Sequence, residues 1–161
     1  MPSDRPIAYN AGAMSIFAEK LPWYCGGLAF ECRQCGRCCA GPEEGYVWID
    51  RGEIKALARF LKMRVTGLRD RYLRRVSRRY SLVEDPRTKD CVFLAYDTQG
   101  RSRCTIYPVR PRQCRTWPFW PSNLSSFDRW CEAGLRCPGI NQGPLHDCDE
   151  IRRKREETSG V

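Results

Sequence analysis

No run of apolar residues in this 161-residue chain approaches the roughly 18–20 needed to cross a membrane, and the first thirty residues hold no basic segment followed by an apolar one. Neither a spanning helix nor a secretory signal is therefore expected. Histidine occurs once, at position 146, which leaves Ser-His-Asp and Cys-His catalysis little to build on. Glycine loops of the GxGxxG or Walker type are missing, so nucleotide binding has no positive support. Internal repeats and low-complexity tracts are missing too. Lysine is scarce: 5 of the 28 basic residues are Lys and 23 are Arg, a skew that a GC-rich genome explains as readily as a ligand does. With 42% hydrophobic residues the chain is long and apolar enough for one packed domain, which excludes disorder over most of its length.

What is abundant is cysteine, with 11 residues. Without a secretory signal the expected compartment is the cytoplasm, where thiols stay reduced, so metal binding rather than a disulfide framework is the default reading. The odd count agrees, although a disulfide framework remains the minor alternative. The formal charge of +9 would shrink on metallation, since ligand thiols lose their protons. Four thiolates on one divalent ion carry about −2, and two such sites would bring the chain near +5. Nucleic-acid binding is therefore a possible but weakly supported partnership, and no membrane partner is expected.

The pattern predicts a small single-domain α+β fold organised by metal, with two central helices, a short β-hairpin and irregular Cys-rich loops. Residues 1–24 read as an N-terminal arm, 25–142 as the metal-binding domain and 143–161 as a polar tail, helical or frayed. Asp50 with Glu53 three residues on has the spacing of a capping box, and Ile54, Leu57, Ala58 and Leu61 form one apolar helical stripe. A second helix is expected after Thr66, with Leu68, Tyr72, Leu73 and Val76 inward and an Arg-rich face (Arg69, Arg71, Arg74, Arg75, Arg78, Arg79) outward. Two apolar runs, from Cys91 to Tyr96 and from Cys104 to Tyr107, flank turn residues and predict a hairpin that brings Cys91 towards Cys104. Prolines at 108, 111, 118 and 121 leave room for one helical turn near Arg110–Arg115, beside an aromatic group (Trp117, Phe119, Trp120) read as core packing. Ser126 is a candidate cap for a short helix that Gly134 would end.

The densest motif is Cys32-Arg-Gln-Cys35-Gly-Arg-Cys38-Cys39. Two residues between cysteines let the backbone curl around a tetrahedral thiolate site, and Gly36 supports the turn. Pro42 stands where a ferredoxin pattern needs its fourth cysteine. Adjacent side chains diverge in strands and helices, so Cys38 and Cys39 are not expected on one mononuclear ion: either one is a structural thiol or the pair divides between two sites. Distant ligands must then close the site, and Cys91, Cys104, Cys114 and Cys137 lie in hairpin or turn contexts that could supply them. These eight suffice for two four-thiolate sites or for one cluster with extra structural thiols. Cys25, Cys131 and Cys148 lack partner spacing and read as buried or surface thiols, and His146 as an exposed side chain.

In order, Cys32–Cys39, CVFL from Cys91, CTIYPVRPRQCRTWPF from Cys104 and CPGI from Cys137 resemble the YkgJ-type cysteine-cluster family, the CxxCxxCC zinc- or iron-chelating domain. The resemblance covers roughly residues 30–142. It implies metal chelation, by zinc or iron including an iron–sulfur cluster, through Cys32, Cys35, Cys38, Cys39, Cys91, Cys104, Cys114 and Cys137. One offshoot of the family is similar to flagellin lysine N-methylase, which implies a second reading, a metal-dependent redox or group-transfer enzyme with a pocket near Trp117, Arg112 and Arg115. A third is a zinc-stapled docking module using the Arg-rich helix face for an acidic partner or nucleic acid.

Overall fold

The computed structural model describes residues 21–159, so nearly all of the expected N-terminal arm lies outside the described residues. The described chain opens on a 3-10 turn, Trp23–Gly26, that leads into strand β1, Leu28–Phe30. β1 pairs antiparallel with β7, Ile140–His146, so the two ends of the domain close on one another. In between, a second 3-10 turn, Arg37–Cys39, carries the end of the cysteine string.

The capping box forms as its spacing predicts. Asp50 accepts from the Glu53 amide at 2.8 Å while the Glu53 carboxylate accepts from the Asp50 amide at 3.0 Å, starting helix α1, Arg51–Phe60. Ile54, Leu57 and Ala58 are buried on its inner stripe.

The second central helix is shorter than the spacing predicts. α2, Val65–Tyr72, stops at Leu73, where the chain turns into strand β3, Leu73–Val76, and returns as β4, Arg79–Leu82. Together with β2, Trp48–Ile49, they form a sheet ordered β2-β4-β3. Positions 72, 73 and 76 suit a helix stripe, but as a strand Leu73 stands opposite Leu82, and both are buried there. That burial outweighs a local helical period. The expected Arg-rich helix face therefore does not exist. Arg69 and Arg71 stay on α2, whereas Arg74, Arg75 and Arg79 lie on strands and Arg78 in the turn between them. Several of these side chains lie over aromatic rings: Arg79 is 3.9 Å from the Trp48 ring and Arg74 is 4.4 Å from Tyr46.

The expected hairpin is present in part, as β5, Leu94–Tyr96, and β6, Ser102–Cys104, with Leu94 opposite Cys104; β6 precedes the run expected from Cys104 to Tyr107, where the chain instead enters a 3-10 turn, Tyr107–Val109. The Pro-bounded turn is α3, Arg112–Thr116. Ser126 caps α4, Phe127–Arg136, by accepting from the Arg129 amide, but the helix runs through Gly134 rather than ending there. The segment from Leu145 continues as α5, Cys148–Ser159, which packs on α3 and places Ile151 fully inside. A lone buried isoleucine in a charged helix leaves no periodic stripe to read in sequence.

Two hydrophobic clusters result. One joins Tyr24, Leu28, Phe30, Phe119, Trp130, Ile140 and Ile151, with Cys137 packed against it. The other joins Ile49, Ile54, Leu57, Leu68, Leu82, Phe93 and Ile106, with Cys91 and Cys104 packed against it. Small helices and short antiparallel strands mixed in this way make the domain α+β, and Cys91 and Cys104 from one cluster come together with Cys137 from the other in a single cavity.

Candidate metal centre

Two glycines bring remote pieces of the cysteine pattern together. Gly36 has φ +70°, and a Cβ there would come within 2.6 Å of Leu94 and 2.8 Å of Ser102, so the CxxC string seats directly on the β5–β6 hairpin. The Ser102 hydroxyl donates to the Cys35 carbonyl at 2.6 Å, and the Cys91 amide donates to the Cys39 carbonyl at 2.8 Å. Gly139 is equally tight, since a Cβ would meet the Glu31 carbonyl oxygen at 2.1 Å. The Glu31 amide donates to the Gly139 carbonyl at 3.1 Å, which lays the CPGI turn beside the start of the string.

α3 reaches the same place from the other cluster. Its first amide, Arg112, donates to the Glu53 carboxylate of the α1 capping box at 2.5 Å, and the Gln113 side chain bridges the Trp48 amide and the Tyr46 carbonyl. Cys114 is thereby held facing the string. All eight cysteines singled out from sequence line one cavity of about 1010 Å³, a volume that counts its opening to solvent. Cys25, Cys131 and Cys148 do not line it.

Within the cavity the contacts are closer than neighbouring positions in a strand or helix would allow. Inside the 3-10 turn the Sγ atoms of Cys38 and Cys39 lie 3.9 Å apart. The expectation that adjacent side chains diverge is corrected here, because this turn aims both thiols into the cavity. For comparison, Zn–S bonds of 2.3 Å in tetrahedral array separate sulfurs by about 3.8 Å. The Cys39 thiol hydrogen-bonds to Cys104 and to Cys38, so it is held well above the ordinary thiol range while both acceptors are lowered, Cys104 to about 6. Burial pushes Cys91 up to about 11 and raises Cys114 further, and in both cases neighbouring thiolates add to the effect.

Cys32 accepts a hydrogen bond from the Tyr107 hydroxyl, whose ionisation is suppressed first by burial and then by that bond. The Trp117 indole donates to the Cys137 sulfur at 3.4 Å. Among the described residues, no three His, Cys, Asp or Glu side chains are drawn together tightly enough to hold an ion as they stand. The donor chemistry nonetheless fits a thiophilic cation. Clustered thiols that raise one another's pKa cannot all ionise alone, and a bound cation inverts that balance.

Three features escape a reading by motif. Tyr107 and Trp117 support cysteine sulfurs, and nothing in their local sequence marks that role. Cys25 and Cys148, expected as unpaired thiols, form a disulfide across 123 residues, a separation that carries no spacing signal. The β1–β7 pairing brings their neighbourhoods together. His146, expected to be exposed, is instead largely buried: its ring bonds the Phe30 carbonyl at 3.0 Å and the Glu150 carboxylate at 2.8 Å. Of the groups expected near a reactive pocket, Trp117 and Arg115 line the cavity, while the Arg112 guanidinium pairs with Asp50 at 3.1 Å.

An α+β fold with thiols gathered at the seam of two hydrophobic clusters defines a cysteine-cluster domain. The chain belongs to the CxxCxxCC family, "Putative zinc- or iron-chelating domain", whose sequence model matches residues 31–132. Seven of the eight cavity cysteines fall inside that match and Cys137 lies beyond it. An uncharacterized protein of Methanocaldococcus jannaschii is 30% identical over 100 residues, covering 62% of this chain and 50% of its own length. The chain thus spans about half the length of that curated relative. No solved structure matches at a significant level. Among the described residues, no helix is long and apolar enough to cross a membrane.

Proposed function

We propose that the protein chelates zinc or iron through Cys32, Cys35, Cys38, Cys39, Cys91, Cys104, Cys114 and Cys137, and that metal retention ties its two hydrophobic clusters into one fold. The observation that carries this reading is the cavity lining: the eight ligand-like cysteines share one wall and the other three are elsewhere. A bound ion would supply a crosslink between thiolates of five chain segments, so ligation and folding are coupled. The 3.9 Å Cys38–Cys39 separation favours a centre that takes two thiolates at once, a mononuclear zinc or iron site or a two-iron cluster. Nine of the eleven cysteines are free thiols, which suits a reducing compartment, and we place the protein in the cytoplasm on that ground, with the Cys25–Cys148 disulfide as the one feature that runs against it.

Elemental analysis of anaerobically prepared protein, read with its visible spectrum, tests the proposal. Stoichiometric zinc in a colourless sample selects the mononuclear site, and a visible band that bleaches on reduction selects an iron–sulfur cluster. Protein that folds fully and retains neither metal overturns the reading. A second reading, a metal-dependent redox or group-transfer enzyme, is favoured by a further cavity of about 890 Å³ that shares Cys38, Cys39, Cys91 and Cys137 and is walled by Trp117 and Trp120. It requires a coordination position open to exogenous ligands, so a metal spectrum unchanged by azide or small thiols counts against it.

A further inference from the structure

The wall of the cysteine cavity holds four arginines, Arg33, Arg37, Arg110 and Arg115, and none of the described Asp or Glu residues lines it. Such a ring could recognise an anionic ligand or could balance charge within the site. Their partners decide between these. Arg33 pairs with Glu31 at 3.1 Å and Arg115 with Glu53 at 3.6 Å, so each is already matched by a carboxylate. Arg37 and Arg110 have no carboxylate partner among the described residues. Two unmatched positive charges match the charge of about −2 on one divalent ion held by four of the eight thiolates, and offset half of the charge of about −4 on two such ions, so in either case they leave no surplus for a further anion.

Of the two, Arg110 is the more firmly held. Its guanidinium lies 3.7 Å from the centre of the Tyr107 ring and donates to the Tyr107 carbonyl at 3.4 Å. The Arg115 guanidinium in turn donates to the Arg110 carbonyl at 2.6 Å. From that position it lines the same cavity as Cys38, Cys104 and Cys114, which come from three separate chain segments. The same Tyr107 that lies beneath Arg110 lines the cavity together with Cys32. One clamped side-chain pair therefore stands in the wall that all eight cysteines share.

We propose that Arg110, clamped on Tyr107 and assisted by Arg37, is the built-in counter-charge of the thiolate centre and sets its affinity for a divalent ion. This rests on the reading of the cavity as a metal site. An arginine suits the task because it stays charged at any physiological pH and stacks flat on an aromatic ring. Supporting groups of this kind are worth about 10–100-fold in metal affinity when removed.

The test is zinc affinity, measured by competition with a chromophoric chelator on anaerobically demetallated protein, for wild type, Arg110→Gln, Arg110→Lys and Arg37→Gln, with Arg129→Gln as a surface control. Arg110→Gln is expected to bind zinc about 10–100-fold more weakly and to shift the midpoint of zinc uptake to higher pH, with Arg110→Lys recovering most of both. A smaller loss in the same direction is expected for Arg37→Gln, an exposed side chain whose replacement leaves folding intact if Arg110→Gln does not. Arg110→Gln and Arg37→Gln both within threefold of wild type overturn the inference, as does an equal loss for Lys and Gln at 110, which would make the role steric. Wild-type protein that fails to bind zinc or iron overturns the metal reading itself, a distinct result.

Discussion

The Sγ atoms of Cys38 and Cys39 stand 3.9 Å apart and face one cavity, the spacing of one edge of a tetrahedral thiolate site. Replacing either by serine removes one end of that edge. Cys38→Ser and Cys39→Ser are each expected to lose most bound metal and to lower the melting temperature by at least about 10 °C, because ligation free energy is folding free energy here. Cys131→Ser, on the exposed side of α4, is expected to retain both metal and melting temperature. Elemental analysis and calorimetry of the three variants check this.

The thiols of the demetallated protein should separate by pH. Cys104 is lowered to about 6, first by the hydrogen bond from Cys39 and in part by Arg110, with burial opposing, whereas burial pushes Cys91 up to about 11. Thiolate is the reactive form, so iodoacetamide labelling of Cys104 is expected to be rapid at pH 7 and to fall away below pH 6. Cys91 should remain slow until well above pH 9. For stability the signs are opposite. The depressed Cys104 contributes stability that is present above its unfolded value near 8.5 and lost as pH falls through about 6. The raised Cys91 contributes stability that is present below that unfolded value and lost as pH rises towards about 11. Peptide-resolved mass spectrometry against pH measures the labelling, and denaturant midpoints measure the stability.

The Cys25–Cys148 disulfide closes a sequence separation of 123 residues. Chain-entropy reasoning assigns such a loop up to about 4–5 kcal/mol. The double variant Cys25→Ala/Cys148→Ala is expected to unfold at distinctly lower urea concentration under non-reducing conditions while keeping its metal, since neither residue lines the cysteine cavity. Simultaneous loss of metal would place the pair in the site.

Ile151 is fully buried on α5, between the helix and the cluster of Phe119 and Trp130. Ile151→Ala is expected to destabilise the protein by about 2–5 kcal/mol, as large-to-small core changes do. A change under 0.5 kcal/mol in urea unfolding would mean that α5 docks only loosely.

The sequence alone determined what short-range physics controls. The Asp50–Glu53 cap, the Ile54–Ala58 stripe, the turn between β5 and β6 and the proline-bounded turn at Arg112–Thr116 all follow from spacings of a few residues. They hold because capping, periodicity and turn propensity act within one or two turns of chain. Tertiary structure decided the rest. Leu73 pairs with Leu82 and so ends a helix that the arginine-rich stretch would locally allow. Ile151 is buried where α5 docks on α3, and His146 is held against Phe30 by the pairing of β1 with β7 across more than a hundred residues, which also brings Cys25 to Cys148. Cys38 and Cys39 converge, against the rule for adjacent side chains, because a 3-10 turn seated on the β5–β6 hairpin aims them together. Each of these depends on contacts between distant segments, whose free energy no local window contains.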